Sequence, residues 1–469
     1  MENQTNRQIR LNNEDAANQV DYKVALDIGT TKVIVVAGTR NQYGKIKVLG
    51  YSKLFNTGVQ QGEIFNLLSV KDTVEHVISD MKKRFDIDVK KVSVGLSGEH
   101  IRVTNVSDYI NRPNPEHIIT ETDIKKLYEK VKKSIFLNHN EQILDIFPQN
   151  FSVDFNRVQR PVGMEGRRLE GSFLAVIADT RKIDKIYKSL QMAGLEVEEI
   201  YMQSVASAEA VLNQKQKQAG VVLVDIGGGT TDLLIANKGI VRHTDVIPYG
   251  GDYITNEIQT TLSLLPEMAE WLKIKHGSTY PEHIPEDLTY QIDLGWNNAK
   301  RPVKARYLSE IIRRRMEHIA ILIAQEIHNY QQRFPNEKLM AGVVLTGGGS
   351  LIKHIKPFMQ KKLDMDVELG TPATHLSSND FTEQLSMPMY ATVIGLLKMS
   401  LDNENGKPAG SYEEAKKIEM KNEAKPIEQP ELFPPEDARI REQSETNQNP
   451  DENITGFWSK IKNYIVDSK

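Results

Sequence analysis

Cysteine is absent from the 469 residues. A chain without thiols has no disulfide scaffold, no thiolate zinc site and no thiol nucleophile, and it suits a reducing compartment. Long apolar runs are missing as well: none approaches the ~20 residues that a membrane-spanning helix needs. Charge of one sign is not in excess either. The formal net charge of −4 leaves no electrostatic footprint for nucleic acid as a partner. The opening stretch, MENQTNRQIRLNNEDAANQ, lacks the apolar core of a secretory signal, so residues 1–21 read as a disordered polar leader. The expectation is a cytosolic chain, unless its ends attach it to a membrane, with length for about three domains' worth of core.

Strand-like and helix-like segments alternate from residue 22 to about 400, which predicts α/β architecture. Strands are expected at 33–37, 92–96, 221–224, 233–236 and 343–345. Helices are expected at 70–84, 121–135, 183–193, 205–212, 253–264, 307–334 and 390–401. Gly194, in MAGLE, is a good left-handed cap for the third of these helices.

Three glycine-bearing turns follow apolar strands: VALDIGTTK at 24–32, VVLVDIGGGTTD at 221–232 and VVLTGGGSLIK at 343–353. The second reads as an enlarged copy of the first. Each glycine cluster falls at a strand's carboxyl end, where α/β proteins place ligands. Glycine lets backbone N–H groups approach phosphate oxygens, and threonine hydroxyls add donors. Asp27 and Asp225 would repel a polyphosphate unless a cation lay between, and Mg²⁺ keeps waters through which they can act. No P-loop string occurs, and Asp232 stands where a dinucleotide fingerprint needs its last glycine. After both turns the chain is β-branched and apolar, VIVVAG and LLIAN, so each turn joins two strands of a hairpin. Two such hairpins predict a clamp that grips one polyphosphate from both sides. The third turn suits contact with the nucleoside.

DIGTTK, DIGGGTTD and LTGGGS resemble the two phosphate motifs and the adenosine motif of the actin/sugar-kinase/heat-shock-chaperone ATPase superfamily. VSVGLSGEHI, RPVGMEGRRLEG, VIPYGGDYIT and MAEWLKIKHG narrow the likeness to the bacterial FtsA cell-division family, over about residues 22–400. The resemblance implies an actin-like two-domain ATPase fold of duplicated ribonuclease-H-like units with an inserted subdomain. It places Gly29, Thr30, Thr31 and Lys32 on the first phosphate loop, and Gly227, Gly228, Gly229, Thr230 and Thr231 on the second. Asp27 and Asp225 fall near magnesium. Gly250, Gly251 and Gly347, Gly348, Gly349 join the ATP site. Glu270 and Lys273, at i, i+3 on one helix face, match positions that contact ribose and adenine.

The domain layout implied is a first actin-like domain at 22–103 and 193–220, an inserted FtsA-type subdomain at 104–192, and a second actin-like domain at 221–385. A return helix at 386–400, a disordered linker at 401–453 and a membrane-targeting helix at 454–469 follow. Hydrolysis needs a residue that orients water at the γ-phosphate. Gln203, Ser204 and Glu209 are the candidates, and spacing does not choose among them. The family's ATPase activity is at most slow. Segment 278–305, with Trp296, is longer and more polar than the family pattern.

Residues 401–453 hold 14 acidic and 7 basic residues and too little apolar surface to order themselves. Aromatics return in NITGFWSKIKNYIVDSK. On a helix Phe457, Trp458, Ile461, Tyr464 and Ile465 form one apolar stripe, with Lys460, Lys462 and Lys469 off it. That pattern predicts a helix lying on anionic lipid, at the end of a spacer that spans on the order of 40 Å as a coil. The three arginines at 313–315 read as a solvated helix face. His243, His318 and His328 have no metal-ligand spacing.

The function expected from the resemblance is an ATP-binding division protein that polymerises, tethers FtsZ through that protein's C-terminal peptide, and helps recruit other division proteins. Its place is the cytoplasmic face of the membrane at the division site. The alternatives are a small-molecule kinase of the same superfold and a pilus-assembly ATP-binding relative. A kinase has no use for the terminal helix, and no acceptor site is identifiable.

Overall fold

The computed structural model describes residues 22–293 and 300–403, which belong to one compact unit. The leader 1–21, Trp296, nearly all of the linker and the terminal segment 454–469 lie outside the described residues.

Strands β1 (Lys23–Ile28), β2 (Lys32–Arg40) and β3 (Ile46–Phe55) pair antiparallel in order. A short hairpin, β4 (Val59–Gln60) and β5 (Glu63–Ile64), leads to helix α1 (Leu67–Phe85). Asn66 caps α1 by accepting from the Ser69 N–H, and Val70, Val74, Val77 and Met81 turn its buried face to the sheet. Strand β6 (Lys91–Leu96) then pairs parallel to β1. Ala25 to Leu26 and Val33 to Ala37 are wholly buried, because both faces of this sheet are covered.

The inserted layer is a four-stranded sheet of β7 (Arg102–Asn111), β8 (Glu141–Val153), β9 (Asn156–Val158) and β10 (Arg168–Asp179), in the order β7-β10-β8-β9. Helix α2 (Glu121–Ser134) covers one face, with Leu127 and Val131 against Leu169, Phe173 and Ile177. Strand β10 runs without a loop into helix α3 (Thr180–Met192). The sequence placed this helix in the inserted piece. Its Ile183, Ile186 and Leu190 instead pack with Val24, Leu26 and Val94 of the first sheet, because its apolar stripe matches that core. Gly194 follows it at φ +76°, in the left-handed region that favours glycine.

Strand β11 (Glu196–Met202) completes the first sheet, β11-β6-β1-β2-β3. Helices α4 (Gln203–Val211) and α5 (Gln214–Ala219) lead to the second sheet. There β12 (Val221–Ile226), β13 (Thr231–Asn237) and β14 (Ile240–Ile247) are antiparallel. Helices α6 (Gly251–Leu262) and α7 (Pro266–His276) precede a hairpin, β15 (Thr289–Asp293) and β16 (Lys300–Lys304), and the long helix α8 (Ala305–Arg333). Strand β17 (Val343–Thr346) pairs parallel to β12, helix α9 (Ile355–Leu363) follows, and β18 (Val367–Leu369) closes the order β14-β13-β12-β17-β18. The two sheets repeat one topology: three antiparallel strands, then two parallel ones added beside the first. The described part of segment 278–305 supplies the β15–β16 hairpin.

Helix α10 (Thr382–Leu385) and helix α11 (Ala391–Asp402) return the chain to the first sheet, where Val393, Ile394 and Leu397 pack on Ile34, Val36 and Ile46. The arginine run on α8 departs from expectation. Arg313 pairs with Glu282, and Arg315 pairs with Glu257 and bonds Tyr253, so two of the three are tied to the molecule's own acids rather than solvated.

Candidate functional site: a cleft between two hairpin turns

The two hairpin turns are built alike. In the first, residues 29–32 lie between the paired Ile28 and Val33, and the Gly29 N–H donates to the Lys32 carbonyl at 3.0 Å. In the second, residues 227–230 lie between Ile226 and Thr231, and the Gly227 N–H donates to the Thr230 carbonyl at 2.9 Å. Asp27 and Asp225 hold the same place, one residue before the last ladder pair. The turns meet face to face. A Cβ on Gly228 would sit 2.7 Å from Thr31 Cγ2, and one on Gly229 would sit 2.4 Å from Thr30 Oγ1.

Both turns line a cavity of about 620 Å³, well within the range of small-molecule sites. Asp27, Gly29, Thr30, Thr31, Lys32, Asp225, Gly227, Gly228, Gly229 and Thr230 form its floor, and Gly347, Gly348 and Gly349 enter from the end of β17. Gly347 is held at φ +81°, where a Cβ would meet Asp225 Oδ1 at 2.2 Å. Gly251, Glu270 and Lys273 complete one wall. Lys273 Nζ donates to the Gly251 carbonyl of α6 at 2.9 Å and pairs with Glu270, one turn earlier on α7, at 2.7 Å. Leu54, Phe55, Ile274, Leu351 and Met387 make the mouth apolar.

Two of the expected residues stand behind the wall. Thr231 is fully buried and donates to the Tyr249 carbonyl. Gly250 supports the second turn: its missing side chain lets the start of α6 approach, and the Gly251 and Asp252 N–H groups bond the Gly227 and Gly228 carbonyls. The three candidates for orienting water separate cleanly. Gln203 lines the cavity and donates to Asp27 Oδ1 at 3.1 Å. Ser204 is buried against Thr244, and Glu209 is paired with Lys217 and Lys398, so neither lines the cavity.

Several participants escaped the sequence reading. Ser207 and Thr392 both donate to Asp225 Oδ2, at 2.6 and 3.1 Å. Asp232 faces the cavity and accepts from Ser97 at 2.5 Å. Ser207 was within reach of a spacing argument, four residues after Gln203 on one helix face. Thr392 and Ser97 carried no such signal, because the fold alone brings them in.

Burial dominates the charges. It pushes Asp27 up to about 6, against the pull of Lys32 and with the help of Asp225. It pushes Asp232 up to about 7, against the Ser97 bond and with the Asp225 charge adding. Asp225 is raised for the same reason, opposed by its Ser207 and Thr392 bonds, and burial lowers Lys32. Three buried carboxylates facing one lysine leave negative charge that an added cation relieves. Among the described residues no cluster of three or more ligating side chains forms a direct metal cage.

Residues 222–395 match the family model for the cell division protein FtsA, and residues 98–177 match the SHS2 domain inserted in FtsA. Residues 144–291 also match the type IV pilus assembly protein PilM. The cell division protein FtsA of Neisseria meningitidis serogroup B is 30% identical over 393 residues, 83% of this chain and 92% of that protein.

The chain belongs to the FtsA family.

The FtsA of Escherichia coli K12 is 28% identical over 379 residues, 80% of this chain and 89% of that one. Among solved structures, the PilM-PilN type IV pilus biogenesis complex superimposes with a TM-score of 0.59 at 15% identity, covering 81% of this chain and 98% of that one. That likeness concerns the fold alone. The fold is the two-domain actin-like one, and the match to the domain inserted in FtsA covers the β7–β10 sheet except the last two residues of β10, Ala178 and Asp179.

Proposed function

We propose that this FtsA-family chain binds ATP with Mg²⁺ in the cleft, associates into filaments, and holds FtsZ at the cytoplasmic face of the membrane. The observation that carries the reading is the pair of equivalent hairpin turns that close on one cavity shared with the Gly347–Gly349 loop. In this reading the N–H groups and threonine hydroxyls of both turns hold phosphate oxygens. Mg²⁺ would supply the charge that offsets the phosphates, and Asp27 and Asp225 would hold it through water. Glu270 and Lys273 border the ribose and base, next to the apolar mouth. In this reading Gln203, which lines the cavity and bonds Asp27, orients the water, so any ATPase activity depends on it.

No helix of the described residues is long and apolar enough to cross a membrane. Attachment is assigned to Phe457, Trp458, Lys460, Ile461, Lys462, Tyr464 and Ile465, which lie outside the described residues. One short anchor binds reversibly, and many anchors on one filament bind far more tightly through effective concentration. Nucleotide, polymerisation and membrane attachment thus reinforce one another. The match to the domain inserted in FtsA and the 92% coverage of a division relative favour this reading over a pilus-assembly role. Calorimetry of the full chain with ATP and Mg²⁺ is expected to show one site per chain. A full-length, folded chain with no heat of binding overturns the reading.

A further inference from the structure

The β4–β5 hairpin enters the cleft as a third turn. Its tip residues, Gln61 and Gly62, both have positive φ, +48° and +78°. The Gly62 N–H donates to Thr30 Oγ1 at 3.2 Å, and a Cβ on Gly62 would touch Thr230 Cγ2 at 3.2 Å. The Gln61 amide reaches the second domain, donating to the Pro248 carbonyl at 3.2 Å. One two-residue tip therefore touches both hairpin turns and spans the cleft. Glutamine carries a strain at this φ that the surrounding contacts must hold in place.

What holds it comes from behind. Glu63, the next residue, forms an ion pair with Lys182 of α3 and accepts from or faces His100 Nδ1 at 3.3 Å. Lys185, one turn further along α3, donates to the Ile64 carbonyl at 2.8 Å. His100 is almost fully buried, and its Nε2 has no protein partner. Glu63, Lys182 and His100 border a small cavity of about 20 Å³ that Gln203 also lines. Helix α3 follows the last inserted strand directly: Asp179 ends β10, pairs with Glu141 of β8, and caps α3 through the Arg181 N–H. No loop separates the inserted sheet from the helix that carries Lys182.

We propose that the Gln61–Gly62 tip is a latch on the nucleotide cleft, and that Glu63, Lys182 and His100 are positioning residues that tie the latch to the inserted sheet. The proposal rests on the nucleotide reading above. By linkage, whatever shifts the inserted sheet changes nucleotide affinity, and nucleotide changes affinity at the inserted sheet by the same factor. Coupling of this kind commonly amounts to about 5- to 150-fold.

The test uses the full chain, a fluorescent ATP analogue with Mg²⁺, and hydrogen exchange in peptides spanning residues 58–66. Glu63→Gln and Lys182→Ala are expected to weaken nucleotide binding about 10-fold and to speed exchange at the tip without nucleotide, while thermal stability stays near that of the parent. Lys182→Arg keeps the charge and is expected to restore both readouts, as is the reversed pair E63K with K182E relative to either single change. Parent-like affinity and exchange in Glu63→Gln and Lys182→Ala overturn the latch. A parent chain with no nucleotide affinity overturns the cleft reading itself, which separates the two failures.

Discussion

Asp232 stands opposite Asp225 in the β12–β13 ladder, and Ser97 reaches it from the first domain. A carboxyl raised from 3.8 to about 7 binds its proton more tightly folded than unfolded. Its contribution to stability is therefore full below 3.8, falls as pH rises, and is gone above about 7. Asp27, raised to about 6, acts in the same direction. Asp232→Asn keeps the shape and an acceptor for Ser97 but has no charge to bury. Without nucleotide, its melting temperature is expected to exceed the parent's by a margin that widens from about pH 4 to pH 7 and then levels. A margin that stays constant with pH contradicts the buried-charge account. At this scale the glycines, Asp27 and Asp225 were legible in the sequence, because a motif is local. Ser97 and Thr392 were not, since they come from segments more than a hundred residues away from the acids they bond.

Among the elements, the crossing of α4 and α11 sets the floor of the cleft. Helix α4 carries Gln203 and Ser207, and α11 carries Thr392. The two helices pack so closely at Gly395 that a Cβ there would lie 1.8 Å from the Ala206 carbonyl oxygen. Backbone meets backbone, so neither side can yield cheaply. Gly395→Ala is expected to destabilise the chain by roughly 1–3 kcal/mol, seen as a lower urea midpoint with an unchanged slope. Because the crossing also positions Gln203, nucleotide affinity should fall with it. A variant as stable as the parent would mean that the helices can separate there without cost. Helix and strand types were readable from periodicity, as for α8 and β12. The inserted strands β7, β8 and β10 were not anticipated individually, since their outward faces are half-polar. The assignment of α3 to the first core depended on which sheet its stripe met, and periodicity carries no address.

For the whole molecule the duplication is the main feature, and the terminal segment 454–469 lies outside the described residues. The terminal pattern of aromatics and lysines predicts that removal of residues 456–469 abolishes sedimentation with anionic vesicles and leaves ATP affinity unchanged. Retained sedimentation would sink the attachment, and lost ATP affinity would mean that the tail serves the cleft instead. High salt should weaken the same interaction, because the lysine contribution is screened.

Local chemistry is written in short strings, so the chain by itself determined the hairpin turns, the phosphate-suited glycines and the acids before them. Only the tertiary structure decided that the two turns touch, that Gln203 rather than Ser204 or Glu209 meets the cavity, and that Gln61 and Gly62 reach across it. Those outcomes depend on how two sheets and an inserted layer are set against one another. Long-range packing and burial govern that arrangement, and no window of neighbouring residues contains it.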